Sequence, residues 1–307
     1  MTIKFDTIVY HKCCPDGVSG LWCAHKYTKN EFEKISMKAG IDPIFDTKNK
    51  DIIFIDICPS INYILVHTKI AKSITVLDHH KSAYDTYIKN KDFLEKIENL
   101  KMIFDMNKSG AQIAWDFFFE GVKRAWFIDY VGDRDLWRWE LPNSKEISSA
   151  FEFNNYFINE DLNKLDLLNN YDESDINGLV NIGLIINQYQ QKLIENEVNY
   201  SYEATLKIDE YIYNVRIGHI IGGMVSDLGN KLANKPLKNG NLPDFGVVWN
   251  YNVDTQTWFV SLRGHDNSPD LSVIAKHFGG GGHEKAAGFR IEYPNTLLSI
   301  FIINNNT

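Results

Sequence analysis

The sequence has few cysteines, no excess of positive charge and no long apolar run. Its four cysteines all lie in the first fifth of the 307 residues, in a spacing that matches neither a zinc knuckle nor a secreted disulfide framework. We therefore expect reduced thiols and a cytoplasmic protein. No run of about 18 residues lacks charge, so no membrane span is predicted and a membrane is not an expected partner.

The charge balance limits the partners further. Asp and Glu total 40 against 32 for Lys and Arg, which gives a formal net charge of −8. Proteins that coat duplex nucleic acid neutralise its phosphates with an excess of basic side chains, so stable duplex binding is not expected here. A small anionic substrate in a local pocket is compatible with this balance.

The first part of the chain alternates short β-branched apolar runs with stretches of helical spacing. The runs cover residues 7–11, 51–57 and 73–78, and we interpret them as buried parallel strands joined by helices. Right-handed crossovers place the carboxyl ends of such strands on one edge of the sheet, where open α/β folds bind ligands. Each run ends in a polar or ionisable cluster: HKCCPDG, DICPS and DHHKS.

The pattern changes in the last third of the chain. Residues 175–202 lack proline and have helical spacing, which is typical of a long connecting helix. After them the sequence predicts hairpins over 203–217 and 245–264, a helix over 271–279 and a final strand over 286–293. The predicted domains are a catalytic domain over 1–185, a connecting helix over 186–202 and a substrate-binding domain over 203–307.

Carboxylate and imidazole side chains follow the three predicted parallel strands. Asp16, Asp56 and the pair Asp78-His79 come at these strand ends. Carboxylates at close range repel one another unless a cation compensates them. Mixed carboxylate and imidazole ligands suit Mn²⁺, Fe²⁺, Co²⁺ or Mg²⁺, and the absence of a cysteine pair argues against structural zinc. The pattern favours a two-metal hydrolase in which an activated water attacks phosphorus.

A glycine-rich element near the C-terminus indicates a second kind of site. Gly279 to Gly282 precede His283, and a backbone without side chains lets amide groups approach an anion closely. Arg263, at the end of a predicted strand, could supply a charged fork to the same phosphate. The alternatives are a flexible turn for the glycines and a solvated surface side chain for Arg263.

Five motifs stand out along the chain: YHKCCPDGVSG, IDICPS, VLDHHKS, YVGDRDLW, and SLRG followed by GGGGHEKAAGF. In this order and spacing they resemble the DHH phosphoesterases with a DHH-associated C-terminal domain. That family includes RecJ-type exonucleases, oligoribonucleases (nanoRNases) and cyclic-dinucleotide phosphodiesterases. The resemblance covers nearly the whole chain. It implies an α/β fold, with an N-terminal parallel-sheet DHH domain joined by a helical linker to a smaller α/β DHH-associated domain.

The resemblance also implies the site residues. It implies two Mn²⁺ ions, with Mg²⁺ or Co²⁺ as alternatives, held by His11, Asp16, Asp56, His79 and Asp133. Asp56 would bridge the ions, and Asp133 is chosen over Asp135 because Trp137 follows it at the family's spacing. As the second catalytic residue beside Asp56, His80 would contact the scissile phosphate or the leaving group. The non-reacting end of the substrate would be held by Arg263, Gly280, Gly281, Gly282 and His283.

Two features depart from the family. Cys14 stands where the family usually has Asp, and a thiol is a poor ligand for Mn²⁺, so the first metal position is weak, uses a thiolate or prefers a softer metal. The offset from His11 to Asp16 is odd, which in a regular strand would put the two side chains on opposite faces. Either the segment after His11 is a loop or bulge, or His11 is not a ligand.

The predicted function is Mn²⁺-dependent hydrolysis of short oligonucleotides or dinucleotides, with cyclic dinucleotides as the second choice of substrate. A RecJ-like single-strand exonuclease is an alternative, which the lack of an added nucleic-acid-binding domain disfavours. The third interpretation is a catalytically degenerate nucleotide-binding member, which Cys14 makes credible. The oligomeric state is left open, with a homodimer among the alternatives.

Overall fold

The structure is a computed structural model that describes residues 3–28, 30–157, 160–220 and 222–303. The chain divides into two compact units, Met1–Asn187 and Gln188–Thr307. Among the helices in the described ranges, none combines the length and the apolar character that crossing a membrane requires.

The first unit is built around a parallel sheet. Its strands are β1 (Thr7–His11), β2 (Glu33–Met37), β3 (Asp51–Ile55), β4 (Ser73–Asp78) and β5 (Leu100–Phe104). The five strands lie in the order β2-β1-β3-β4-β5, and every neighbouring pair is parallel. The helices of this unit are α1 (Pro15–Tyr27), α2 (Ile61–His67), α3 (Lys81–Leu94), α4 (Gly110–Phe118), α5 (Trp126–Asp135), α6 (Ser144–Phe153) and α7 (Leu162–Asn169).

The three strands predicted from apolar runs are confirmed as β1, β3 and β4, and they form the middle of the sheet. The two outer strands, β2 and β5, are not predicted by those runs. Their side chains are mostly exposed or half-buried, so the sequences EKISM and LKMIF lack the continuous apolar character of a strand covered on both faces. The apolar pattern therefore identifies the centre of the sheet and not its edges.

A buried tryptophan fixes the helices that carry the site. Trp22 of α1 is fully buried; its ring stacks on Trp115 of α4 at a centroid distance of 6.1 Å and meets the edge of Phe127 of α5 at 4.9 Å. Aromatic pairs in these geometries add to the free energy gained by burying the rings. Because three helices meet at one side chain, their ends are held in fixed positions relative to the sheet.

Helix α8 (Glu173–Tyr200) crosses the division between the units and begins before residue 186, where the connecting helix is predicted to begin.

The elements of the second unit follow α8. They are β6 (Tyr202–Ile208), β7 (Tyr211–His219), α9 (Val225–Ala233), β8 (Phe245–Asn252), β9 (Thr257–Arg263), α10 (Leu271–His277), β10 (Gly281–Gly282), β11 (Ala286–Glu292) and β12 (Phe301–Ile303), with short 3₁₀ turns at Gly222–Met224 and Leu297–Ser299.

The second unit holds a mixed sheet in the order β10-β11-β9-β8-β7-β6-β12. The pair β7 and β8 is parallel, and the other neighbouring pairs are antiparallel. Both predicted hairpins are confirmed as β6-β7 and β8-β9, whereas β11 is not the final strand because β12 follows it and pairs with β6. The predicted fold class, a parallel-sheet α/β domain followed by a smaller α/β domain, is confirmed.

Candidate metal centre

Acidic, imidazole and thiol side chains converge where the strands of the parallel sheet end. They come from the segments that follow β1, β3 and β4 and from the last turn of α5. Three sets bring their candidate ligand atoms within 4.8 Å of one another: His11 with Cys14 and Asp56, Asp16 with His79 and Asp135, and Asp56 with Asp78 and His80. Asp56 therefore belongs to two of the three sets, and it also lies close to the imidazole of His79 in the remaining set.

Asp56 occupies the centre of this cluster and is 1% exposed. Its Oδ2 lies 3.2 Å from Nδ1 of His11, and its Oδ1 lies 3.1 Å from Nε2 of His79. The residue directly follows β3 and has a φ of 61°, a left-handed backbone conformation that is uncommon outside glycine. Such strain is retained where the surrounding structure fixes it, and it clusters at functional sites.

Asp16 is held against Asp56 by the start of α4. Its carboxylate accepts hydrogen bonds from the backbone N–H groups of Gly110, at 2.5 Å, and Ala111, at 3.0 Å. Gly110 is required for this approach, because a Cβ at that position would lie 2.4 Å from the Cβ of Asp56. The N-terminus of α4 thus stabilises one buried negative charge directly beside another.

The segment between His11 and Asp16 is a turn and not a continued strand. β1 ends at His11, Cys13 has a φ of 55°, and α1 begins at Pro15, which places Asp16 in the first helical turn. The loop that the odd offset requires is therefore confirmed, and His11 lies in the cluster. Gly17 lets the turn close, since a Cβ there would lie 2.5 Å from the carbonyl oxygen of His11.

Helix α5 brings Asp135, and not Asp133, to the cluster. Oδ2 of Asp135 lies 3.4 Å from Nε2 of His79. The carboxylate of Asp133 instead accepts hydrogen bonds from the backbone N–H groups of Glu140 and Leu141 and from the hydroxyl of Ser144. Among the described residues, the structure therefore groups Asp135, the alternative to Asp133, with the candidate ligand atoms.

The turn after α5 explains why Asp133 lies outside the group of candidate ligands. Trp137 and Trp139 have φ values of 57° and 59°, and the chain reverses so that the following backbone amides return to Asp133. The guanidinium of Arg134 lies over both indole rings, 4.7 and 5.0 Å from their centroids, which stabilises the reversal. Spacing from Trp137 cannot reveal such a reversal, because it depends on backbone conformation.

Asp78 orients His80. Its Oδ1 accepts hydrogen bonds from the backbone N–H groups of His79 and His80 and lies 2.7 Å from Nδ1 of His80. Burial lowers the pKa of His80, but the carboxylate of Asp78 outweighs burial and raises it above its ordinary value. This positioning role of Asp78 is not among the roles predicted from the sequence, although its place directly before the two histidines could have indicated it.

Burial and mutual repulsion make the cluster hold protons when no cation is bound. Burial, followed by the charges of Asp56 and Asp135, raises the pKa values of both Asp16 and Cys14 well above their ordinary ranges. Burial also acts on Asp56, but hydrogen bonds from the imidazoles of His11 and His79 outweigh it and hold the Asp56 pKa well below its usual range. Burial lowers the pKa of His79, yet the surrounding carboxylates raise it to about 10.

This donor set fits a pair of divalent cations. Three carboxylates lie around Nε2 of His79, at 3.1 Å for Asp56, 3.4 Å for Asp135 and 3.6 Å for Asp16. Like charges at this range are unfavourable unless a cation compensates them. Carboxylate and imidazole ligands are those that Mn²⁺, Fe²⁺ and Zn²⁺ sites use, and Asp56 can offer one oxygen to each of two ions.

The second unit places Arg263 and the glycine-rich element on the two strands that flank β11. Arg263 pairs with Ala286 across β9 and β11, and β11 pairs in turn with Gly281–Gly282 of β10. The N–H of His283 donates to the carbonyl oxygen of Ala286 at 2.7 Å. Since neighbouring strands are about 5 Å apart, Arg263 and His283 lie within roughly 10 Å of each other at one end of this sheet.

Two hydrogen bonds to the surrounding protein orient the side chain of Arg263. Its Nη2 donates to the hydroxyl of Ser226 and its Nη1 to the carbonyl oxygen of Leu262, both at 2.8 Å. The glycines also have fixed places, because Gly281 and Gly282 form β10 and a Cβ at Gly280 would lie 2.1 Å from the carbonyl oxygen of Gly288. The candidate anion-binding residues therefore belong to the sheet and not to a loose turn.

Comparison with known proteins finds distant similarities. No family model matches the chain. It is 26% identical over 303 residues to the uncharacterized protein R106 of Acanthamoeba polyphaga mimivirus, with 93% of this chain and 67% of that protein covered. A solved exopolyphosphatase-related protein from Bacteroides fragilis has a TM-score of 0.47 at 14% identity, covering 96% of this chain and 88% of that one.

RecJ from Thermus thermophilus, solved in complex with Mn²⁺, is also similar. Its TM-score is 0.42 at 11% identity, with 94% of this chain and 50% of that chain covered. Similarities at these TM-scores do not decide the function, which has to be inferred from the side chains of this chain.

We expect divalent cation binding to release protons and to tighten as the pH rises. Without a cation, the pKa values of Asp16, Cys14 and His79 are raised, so each group keeps its proton to a higher pH than usual, whereas their ligand forms are deprotonated. Titration calorimetry with Mn²⁺ in buffers of different ionisation enthalpy measures the protons released. Asp135→Asn should weaken binding, while Asp129→Asn, on the same helix with its carboxylate beside Arg124, should match the unmodified chain. A binding enthalpy that is the same in all buffers would contradict the expectation.

Proposed function

We propose that this chain is a divalent-cation-dependent phosphodiesterase of the DHH phosphoesterase type, acting on short oligonucleotides or dinucleotides. The observation that carries the proposal is the convergence of Asp16, Asp56 and Asp135 on one nitrogen of His79, at distances of 3.1 to 3.6 Å. This crowding of negative charge is costly for a purely structural role. It matches the requirement of an enzyme that neutralises a phosphoryl group with cations.

We assign cations to two groups of ligands that share Asp56. The third set is not assigned a cation, because Asp78 and His80 already contact each other at 2.7 Å. His11, Cys14 and Asp56 would hold one cation, and the second would be held by Asp16, Asp56, His79 and Asp135. Divalent cations in such a pair supply a nucleophile from water at neutral pH and neutralise charge on the phosphoryl oxygens. Mn²⁺, or Mg²⁺ in its place, suits the carboxylate-rich second set.

His80 supplies the acid of the reaction. Asp78 holds Nδ1 of its imidazole and raises its pKa, so the protonated form persists to higher pH and the Nε2 proton is available to a leaving oxygen. The side chain of His80 is 25% exposed, whereas that of His79 is 1% exposed. Proton donation thus falls to the histidine that solvent, and therefore a substrate, can reach.

We assign binding of the non-reacting end of the substrate to the second unit. The oriented guanidinium of Arg263 offers N–H donors suited to a phosphate, and His283 adds a ring donor. The backbone of Gly280, Gly281 and Gly282 has no side chains that would keep such an anion away. The net charge of −8 favours a substrate of a few nucleotides over a long strand, which is bound through many phosphate contacts.

The test is hydrolysis of a panel of substrates with Mn²⁺, Mg²⁺ or a chelator. We expect cation-dependent cleavage of a dinucleotide and of a five-nucleotide RNA, and little cleavage of a long single strand or a cyclic dinucleotide. Asp56→Asn should abolish turnover, because it removes the carboxylate that both ligand sets share. Absence of turnover with every cation and substrate would reject the enzyme and favour a nucleotide-binding protein. Preferential cleavage of long strands would indicate a processive exonuclease.

His80→Ala should lower kcat by about 10²- to 10⁴-fold, the usual contribution of a positioned general acid. Mn²⁺ affinity, measured by calorimetry, should stay close to that of the unmodified chain, because His80 belongs to neither proposed cation position. His25→Ala is the matched control, since this histidine lies on α1 with a side chain 42% exposed. Full activity in His80→Ala would contradict the proposal that His80 is the general acid.

Arg263→Lys should raise KM for a dinucleotide by roughly 10-fold or more, because lysine keeps the charge but loses the planar fork. The value of kcat should change little if the side chain holds only the non-reacting end. Arg290→Lys is the matched control, since Arg290 lies on β11 with its guanidinium over Phe259. Equal KM values for the two variants would count against a phosphate-binding role for Arg263.

A further inference from the structure

The two proposed cation positions differ in chemistry. One set, formed by Asp16, His79 and Asp135 together with Asp56, offers oxygen and nitrogen atoms. The other combines an imidazole nitrogen of His11, the sulfur of Cys14 and a carboxylate oxygen of Asp56. Thiolate is a soft ligand that favours Zn²⁺ and related ions, whereas carboxylates favour Mn²⁺ and Mg²⁺. Two positions with such different donors should not select the same metal.

The turn between β1 and α1 places the sulfur of Cys14 among candidate metal ligands. Cys14 is the N-cap residue of the 13-residue helix α1, and its side chain makes no capping hydrogen bond. The sulfur lies within 4.8 Å of the candidate ligand atoms of His11 and Asp56.

The other three cysteines have different surroundings. Cys13 is exposed, Cys23 is buried and donates to the carbonyl oxygen of Ala111 at 3.8 Å, and the thiol of Cys58 lies 3.4 Å from the carbonyl oxygen of Pro59. Within the part of the chain that the structure describes, Cys14 is the cysteine that joins a group of candidate metal ligands. The three other thiols therefore serve as internal controls.

We propose that His11, Cys14 and Asp56 form a thiolate-containing position that selects Zn²⁺ or Co²⁺ over Mn²⁺ and Mg²⁺, so that the chain holds an unlike pair of metals. The inference deepens the proposed function, because it concerns one of its two cation positions. Zn²⁺ bonds of about 2.0 to 2.3 Å draw ligand atoms to within roughly 4 Å of one another, so little movement from the present separations is needed. Binding releases the thiol proton to solvent.

The test is a Co²⁺ titration of the full chain under a phosphine reductant, followed by near-ultraviolet absorption. Charge transfer from thiolate to Co²⁺ gives a band that oxygen and nitrogen ligands do not give. We expect the band in the unmodified chain and in Cys13→Ser and Cys58→Ser, and its loss in Cys14→Ser. Zn²⁺ should displace Co²⁺ and abolish the band, whereas excess Mn²⁺ should not.

A second variant covers the case in which Cys14→Ser folds poorly. Cys14→Asp supplies a carboxylate at the same position, so it should bind Co²⁺ without the band, and its Co²⁺ affinity should fall by about 10- to 100-fold relative to Mn²⁺. Circular dichroism of each variant verifies the fold.

The outcomes separate this inference from the proposed function. Hydrolysis with Mn²⁺ but no band, although calorimetry shows Co²⁺ binding, overturns the thiolate position and leaves the enzyme standing. A band that survives in Cys14→Ser also overturns it. A band that depends on Cys14 in a chain without any turnover supports the thiolate position and rejects the proposed function.

Discussion

The mutual repulsion of three carboxylates is the constraint on which the rest of the site depends. Asp16 and Asp56 are each 1% exposed, and Asp135, 27% exposed, completes the group around His79. Without a cation, the positive charge that makes this arrangement tolerable comes from the imidazoles and from the amides at the start of α4. Because protons supply part of the positive charge around these carboxylates, divalent cations that replace the protons should stabilise the arrangement.

The fold meets this constraint through a few unusual backbone positions. Asp56 has a left-handed φ, Gly110 allows α4 to approach it, and Gly17 allows the turn after β1 to close on His11. These positions lie where strands end and helices begin, while β1, β3 and β4 stay regular. The helices behind them are fixed by Trp22. Strain is thus confined to the sheet edge, where it orients ligands, and the buried sheet supplies the rigidity that keeps it there.

The residues that follow buried strands could be predicted from the sequence, and those set by backbone reversals could not. Apolar runs identify β1, β3 and β4, so the places of Asp16, Asp56 and His79 follow from parallel-sheet geometry. The outer strands escape this pattern because their side chains are half-exposed. Asp133 and Asp135 are separated by one residue in a helix. Only the left-handed turn at Trp137 and Trp139 shows that the carboxylate of Asp133 accepts hydrogen bonds from the backbone of the following segment.

The neighbouring histidines show how environment divides tasks between identical side chains. His79 is buried among carboxylates, which favours its use as a ligand, since a cation can replace the proton that they stabilise. His80 is partly exposed and bound at Nδ1 by Asp78, a carboxylate that lies on β4 itself and belongs to neither proposed cation position. Under the proposed function, Asp78 can continue to hold Nδ1 of His80 when cations bind, because it is not one of their ligands. Different charge partners would then let one histidine bind metal and the next supply a proton at the same pH.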